Sequence, residues 1–203
     1  MFTKTEQVWR HIIDGAHHGR RRWDSVSSLA AELGVPVSTT HQALEEPRLI
    51  DILRISGGGG LRVVDPGRLL MLWAARRRLD RDMEESIVVP VDAQTAETAF
   101  EQRGVVLGGF SAIVARMGFN NIADYSSVLV YGDPVTPRFE DNGRASEIVF
   151  LKPDPLLRRY GNVTTLGQAW VDLFRTPGWQ AGRFVYDLIP QLLTEDNGVL
   201  LQH

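Results

Sequence analysis

Cysteine is absent from the chain, which excludes disulfides, thiolate metal sites and thiol catalysis. Lysine is nearly absent too: only Lys4 and Lys152 occur, and arginine carries the rest of the positive charge. No apolar run approaches the roughly 20 residues needed to cross a bilayer. The opening stretch MFTKTEQVWRHIID is amphipathic and polar, unlike a secretory signal, so a cytoplasmic protein is expected. Histidine is missing between residues 42 and 202, and there is no HExxH and no serine nucleophile elbow. Two-metal nucleotidyl transfer needs paired carboxylates, and Asp124 and Asp133 do not form an Asp-x-Asp pair on one strand. His17 and His18 are adjacent without an acidic cluster nearby, so no metal site is expected there. These gaps favour a non-enzymatic protein with no cofactor and no metal.

What is present is ordinary for a soluble globular protein: 203 residues, 43% hydrophobic and 23% charged. That length allows one large or two small domains, each with a core. The net charge of −3 hides a division. Residues 1–81 hold 13 Lys+Arg against 9 Asp+Glu, a net of +4, whereas residues 82–203 hold 9 against 16, a net of −7. A basic front and an acidic back imply two domains with different partners. Phosphate neutralisation is local, so a basic face on the first half suffices for DNA despite the acidic total.

Within the first half, Thr5 to Asp14 carries Val8, Trp9, Ile12 and Ile13 at helical spacing. HHGRRRW (17–23) follows as a polar, basic connection, open to solvation or to phosphate contact. Ser25 or Ser27 can cap a second helix with Val26, Leu29, Ala30 and Leu33 as its buried stripe. Gly34 suits the left-handed turn, Val35 plugs the core and Pro36 opens a third helix over about 36–46. That helix is expected to bury Thr40 and Leu44 and to present Val37, Ser38, Thr39, His41 and Gln42 to base edges in a major groove.

Two β-rich runs come next, LIDILRI (49–55) and LRVVD (61–65), joined by SGGGG. A two-stranded ribbon after such a helix reads as a wing. The glycines at 57–60 are not a nucleotide-phosphate loop, because no Gly-Lys-Ser/Thr and no helix follows. Gly58 and Gly59 are expected at a tip lying along DNA, with Arg54 and Arg62 beside it as phosphate ligands. Pro66 then opens a helix that packs Leu69, Leu70, Leu72 and Trp73 inward, with Arg76–Arg78 read as a solvated face or a phosphate contact.

Around Asp80–Ser86 the chain turns polar and acidic, the expected linker. Beyond it, residues 86–91, 125–132 and 147–153 read as strands; 93–103, 108–118, 165–178 and 179–193 read as helices. Gly109-Phe110-Ser111 faintly resembles a nucleotidyltransferase phosphate grip. The fold class is α+β: a winged helix-turn-helix over 1–80, then a mixed α+β domain over 86–203.

The segment GGFSAIVARMG (108–118), a strand, and the helix VTTLGQAWVDLF (163–174), placed behind a winged helix, resemble the AbiEi family of antitoxins. The likeness is greater to actinobacterial members with a long α+β C-terminal domain. It implies a repressor that binds double-stranded promoter DNA of its own operon. It also implies a partner gene for a nucleotidyltransferase toxin that blocks translation, neutralised through the C-terminal domain, often without a stable complex. The tetraglycine tip and the acidic second domain depart from the family, so the toxin-facing surface is not carried over. Two other readings stand beside this one: a ligand-responsive winged-helix repressor, and a nucleotidyl-transfer enzyme with a DNA-binding domain.

Overall fold

The computed structural model describes residues 2–118 and 125–176, together with positions 181, 182 and 185. Asp124 and the expected helix over 179–193, those three positions apart, lie outside the described residues. The architecture is mixed α and β, with eight α-helices and two sheets among the described residues. Contacts divide it into one unit of Thr3–Ala75, to which Val185 also belongs, and another of Arg76–Gly182. Phe2 goes with the second unit, its ring lying 4.9 Å from the guanidinium carbon of Arg77.

In the first unit, α1 (Lys4–His17) starts at a reciprocal cap. Thr3 Oγ1 accepts from the Glu6 N–H at 3.2 Å, and the Glu6 carboxylate accepts from the Thr3 N–H at 2.8 Å. The helix buries Val8, Trp9, Ile12 and Ile13, as the spacing predicts, and Trp9 Nε1 donates to the Ala43 carbonyl at 2.7 Å. Ser25, not Ser27, caps α2 (Val26–Leu33), accepting from the Ser28 N–H at 2.9 Å. Gly34 then takes a φ of 67°, the left-handed region that admits a helix-ending turn. Next, α3 (Val37–Leu49) packs on α1 and α2 through Thr40, Ala43 and Leu44.

Three short strands complete the sheet of this unit: β1 (Arg22–Trp23), β2 (Leu53–Ile55) and β3 (Leu61–Val63), antiparallel in the order β1-β3-β2. Trp23, Leu53, Leu61 and Val63 are buried, while the residues between them in the pleat face solvent. Two expectations change here. The ribbon has a third strand, because part of HHGRRRW extends and pairs with β3. Residues 49–52 are not strand: α3 runs on to Leu49, and Asp51 turns the chain at a φ of 56° while the Ile52 N–H bonds the Pro47 carbonyl. Aspartate tolerates that conformation better than most side chains. In α4 (Pro66–Arg76), Leu69, Leu70 and Trp73 are buried and Leu72 is half-buried.

The second unit runs α5 (Leu79–Asp82), β4 (Met83–Val89), α6 (Ala93–Glu101), β5 (Val106–Gly108), α7 (Gly109–Met117), β6 (Ser127–Tyr131) and β7 (Ser146–Leu151). A 3-10 turn at Leu157–Tyr160 and α8 (Leu166–Phe174) follow. The sheet order is β4-β7-β6-β5, with β6 and β7 parallel and the other pairs antiparallel. Register partners Tyr131 and Leu151 share one face with Val106, Leu129 and Leu157, and α8 reaches that face through Asp172, which accepts from the Tyr131 hydroxyl. Val130 and Phe150 point to the opposite face, where the Phe100 ring of α6 lies edge-on to Phe150 at 5.7 Å. The stretch 80–86 is a helical turn running into β4, and the contacts divide the chain between Ala75 and Arg76. Arg77 explains the position: it is buried within the second unit.

Candidate nucleic-acid interface

The exposed end of α3 is built without a side-chain cap. Pro36 occupies the cap position and offers no side-chain acceptor, and the first turn holds no acidic residue. Thr40 is the first residue whose N–H closes a helical bond, to the Pro36 carbonyl. The N–H groups of Val37, Ser38 and Thr39 therefore end the helix unclosed, at the positive end of its dipole. Val37, Ser38, His41 and Gln42 are exposed and Thr39 is half-buried. His41, Gln42, Glu45 and Arg48 of this face border a groove of about 440 Å³ whose far side is Ile55 of β2.

Arg54 and Arg62 are cross-strand partners, and Arg62 is also the partner of Arg22. With strands about 4.8 Å apart, the three arginines form a row roughly 10 Å long. All three are exposed, and none has an acidic partner among the described residues. Like charges placed directly opposite each other destabilise a strand pair, so folding alone does not favour this row. The sequence reading named Arg54 and Arg62 and left Arg22, within HHGRRRW, open between solvation and phosphate contact without placing it on a strand. Its strand is two residues long, too short for alternation to reveal it.

Arg20, from the same basic stretch, is committed elsewhere. Its guanidinium forks onto Glu32 at 2.9 and 2.6 Å, and His11 and Trp23 Nε1 also meet that carboxylate. The bonds from Arg20 hold the Glu32 carboxyl down to about 2. The stretch thus divides its labour: Arg20 ties down the approach to β1 and Arg22 faces out.

At the hairpin tip, the Ser56 N–H bonds the Gly60 carbonyl at 2.9 Å and the Gly59 N–H bonds the Ser56 carbonyl at 2.8 Å. Gly59 has a φ of 84° and needs to be glycine. Gly57 and Gly58 do not: neither has a positive φ, and a Cβ on either would meet nothing within 4 Å. The tip is bare backbone where the fold does not demand it.

The second unit holds the residues named for the phosphate-grip alternative and a network the sequence did not reveal. Ser111 is buried and donates to Glu97 at 2.6 Å, as does the Tyr125 hydroxyl at 2.5 Å. Burial pushes the Glu97 carboxyl up, against the pull of those two bonds. The Ser111 hydroxyl is therefore spent on a protein partner rather than aimed at open space. The helix VTTLGQAWVDLF is core, with all of Leu166 to Leu173 buried. Its Asp172 accepts from Arg77 Nε at 3.0 Å, and Arg77 also bonds Asp82 and the Tyr131 hydroxyl. Arg77 was expected on a solvated face or against phosphate, but its side chain is 1% exposed. Neighbouring arginines in a row give no hint of which one turns inward.

Among the described residues no helix is long and apolar enough to cross a membrane. No protein-family model, curated protein or solved structure matches the chain.

Proposed function

We propose that this protein binds duplex DNA through a winged helix-turn-helix formed by its first unit and acts as a transcriptional repressor in the cytoplasm. The observation that carries the reading is the row Arg22–Arg62–Arg54, exposed and without acidic partners among the described residues, on the sheet next in sequence to α3. A polyanion is the ligand that repays such a row, because each neutralised phosphate releases condensed counterions. On this reading α2 and α3 form the helix-turn-helix, with Gly34 in the turn, and the hairpin of β2 and β3 is the wing. Val37, Ser38, Thr39, His41 and Gln42 face base edges, Arg22, Arg54 and Arg62 face phosphates, and Gly58 and Gly59 let the tip approach the backbone closely. The protein is assigned binding and no reaction. Fluorescence anisotropy of the full chain on its own promoter and on a scrambled duplex tests this. Tighter, salt-sensitive binding to the promoter is expected, and no binding to either duplex at low salt overturns it.

The finer assignment is antitoxin to a nucleotidyltransferase toxin encoded beside it. Its supports are the likeness of GGFSAIVARMG and VTTLGQAWVDLF to AbiEi antitoxins and the net charge of −7 over residues 82–203, which suits the basic surface of an enzyme that handles RNA. Co-expression with the adjacent reading frame, scored as growth under toxin induction, tests it. Rescue by the full chain is expected, and a neighbour that is harmless alone removes the assignment.

A further inference from the structure

The two chain segments that leave the carboxyl ends of the parallel pair β6 and β7 part to opposite faces of the sheet. After Tyr131 the chain passes toward α6, where Phe139 lies 6.3 Å from Phe100 and Asn142 Nδ2 donates to Asp92 at 2.8 Å. After Leu151 it turns the other way, and Leu157 enters the core beside Val106 and Tyr131. Such a parting opens a crevice outside the strand ends, the place where open sheets with parallel strands bind ligands. Here the crevice measures about 650 Å³, within the range of about 300–1,000 Å³ of small-molecule sites. Val105, Val135 and Pro153 line it with apolar surface, and Arg103, Arg158 and Asp133 bring charge.

The charges decide the ligand class. The Arg103 side chain has one hydrogen bond among the described residues, a long one of 3.4 Å from Nη1 to the Val135 carbonyl, and Arg158 has no acidic partner there. Asp154, also at the crevice, is buried and turns its carboxylate to the Leu156 N–H at 3.0 Å. Within residues 82–203, which carry −7, two arginines without acidic partners among the described residues thus border one concavity. Guanidinium forks match phosphate and carboxylate oxygens. Two guanidinium forks suit the three terminal oxygens of a phosphate group, and the exposed carboxylate of Asp133 disfavours further anionic groups and accepts from hydroxyls. The geometry points to a small hydroxylated phosphate ester, a sugar phosphate, with its phosphate on Arg103 and Arg158 and its hydroxyls on Asp133. Such binding lies wholly within the Arg76–Gly182 unit and does not rest on the DNA reading.

Calorimetric titration of the full chain with ribose 5-phosphate tests the assignment, beside inorganic phosphate, ribose and succinate. Saturable binding of ribose 5-phosphate is expected, with inorganic phosphate weaker and ribose and succinate silent. Arg103→Gln and Arg158→Gln each weaken it by roughly tenfold or more, the loss expected of one charged hydrogen bond. Asp133→Asn weakens ribose 5-phosphate and does not weaken inorganic phosphate, and Arg138→Gln, an exposed residue outside the crevice, changes neither. Melting temperatures show whether each variant is folded. Absence of saturation by ribose 5-phosphate, equal binding of succinate or of inorganic phosphate, or wild-type binding by both folded arginine variants overturns the proposal.

Discussion

Arg77 and Asp172 stand 95 residues apart in the chain and 3.0 Å apart in the fold, Nε to Oδ1, with both side chains buried. Asp82 takes a second bond from the same guanidinium, and the Tyr131 hydroxyl donates to Asp172. Burial, and then the charge of Asp172, push the Tyr131 phenol well up, so it stays a donor. The first turn of this unit, its sheet and its last described helix meet at one cation.

Arg77→Met is therefore expected to cost about 3–5 kcal/mol, because it strands two buried carboxylates. Arg78→Ala, one residue along, removes an exposed pair with Asp80 and should leave stability unchanged. Urea unfolding of both variants checks the contrast, and equal losses would place Arg77 on the surface with its neighbours.

Much of the first unit was legible because its helices bury regular stripes. Val8, Trp9, Ile12 and Ile13 recur with helical period, and Gly34 marks the turn through the one conformation it alone adopts freely. The strand that carries Arg22 was not legible, since two residues have no period. Residues 49–52 misled because Leu49, Ile50 and Ile52 suit a strand by composition, while the turn at Asp51 depends on its backbone bonding to Arg48 and Pro47 nearby. Arg77 was missed for another reason: its partners lie in α5, β6 and α8, and no local pattern announces a contact across 95 residues. In the candidate interface the residue types were readable, but the register that lines up three arginines was not.

Arg22→Ala, Arg54→Ala and Arg62→Ala should each weaken binding to promoter and scrambled duplex alike. Each should also lower the slope of log K against log salt by about one. Removing a like charge from the row should leave the free protein as stable as before, or more so. Anisotropy across a salt series, paired with thermal melting, separates the two effects; unchanged slopes would move the phosphate contacts elsewhere.

Ser38→Ala and Gln42→Ala should instead relax sequence preference. A good base contact discriminates by about 1–3 kcal/mol, so the gap between promoter and scrambled duplex narrows while scrambled binding holds. Competition titrations measure it. A larger change in preference from Arg62→Ala than from Gln42→Ala would reverse the assigned roles.

The hairpin tip offers a sharper contrast. Gly58→Ala should be neutral or stabilising by up to about 1 kcal/mol, because its backbone accepts a Cβ and the unfolded chain loses freedom. Gly59→Ala should destabilise by about 1–2 kcal/mol, since its φ is 84°. Gly58→Ala should nonetheless weaken duplex binding if the tip lies against a backbone. Full affinity in a stable Gly58→Ala protein would place the tip away from DNA.

Glu32 gives a pH signature. Its carboxyl is lowered from 4.5 to about 2, chiefly by the bonds from Arg20. A depressed acid stabilises the fold above its unfolded value, and that contribution fades as pH falls from about 4.5 toward about 2. Glu32 is partly exposed, so solvent screening keeps the gain small. Melting curves of wild type and Glu32→Gln should differ at pH 6 and converge toward pH 2. A gap that is constant across that window would assign the effect to packing.

The pairing of β4 with β7 has a consequence for the order in which the chain is made. Ser86 and Glu147, bonded at 2.6 Å across that pair, are 61 residues apart. At about 5–20 residues per second, a ribosome takes roughly 3–12 seconds between them. For that interval β4 has been made and has no strand to pair with, since β7 is its neighbour in the sheet. Its run of Ile87, Val88 and Val89 waits behind Glu84 and Glu85, the charges that discourage a wrong partner. All the elements from α1 to α4 have been made by then, so the nascent chain holds those four helices and the first sheet complete while the second sheet still lacks a central strand.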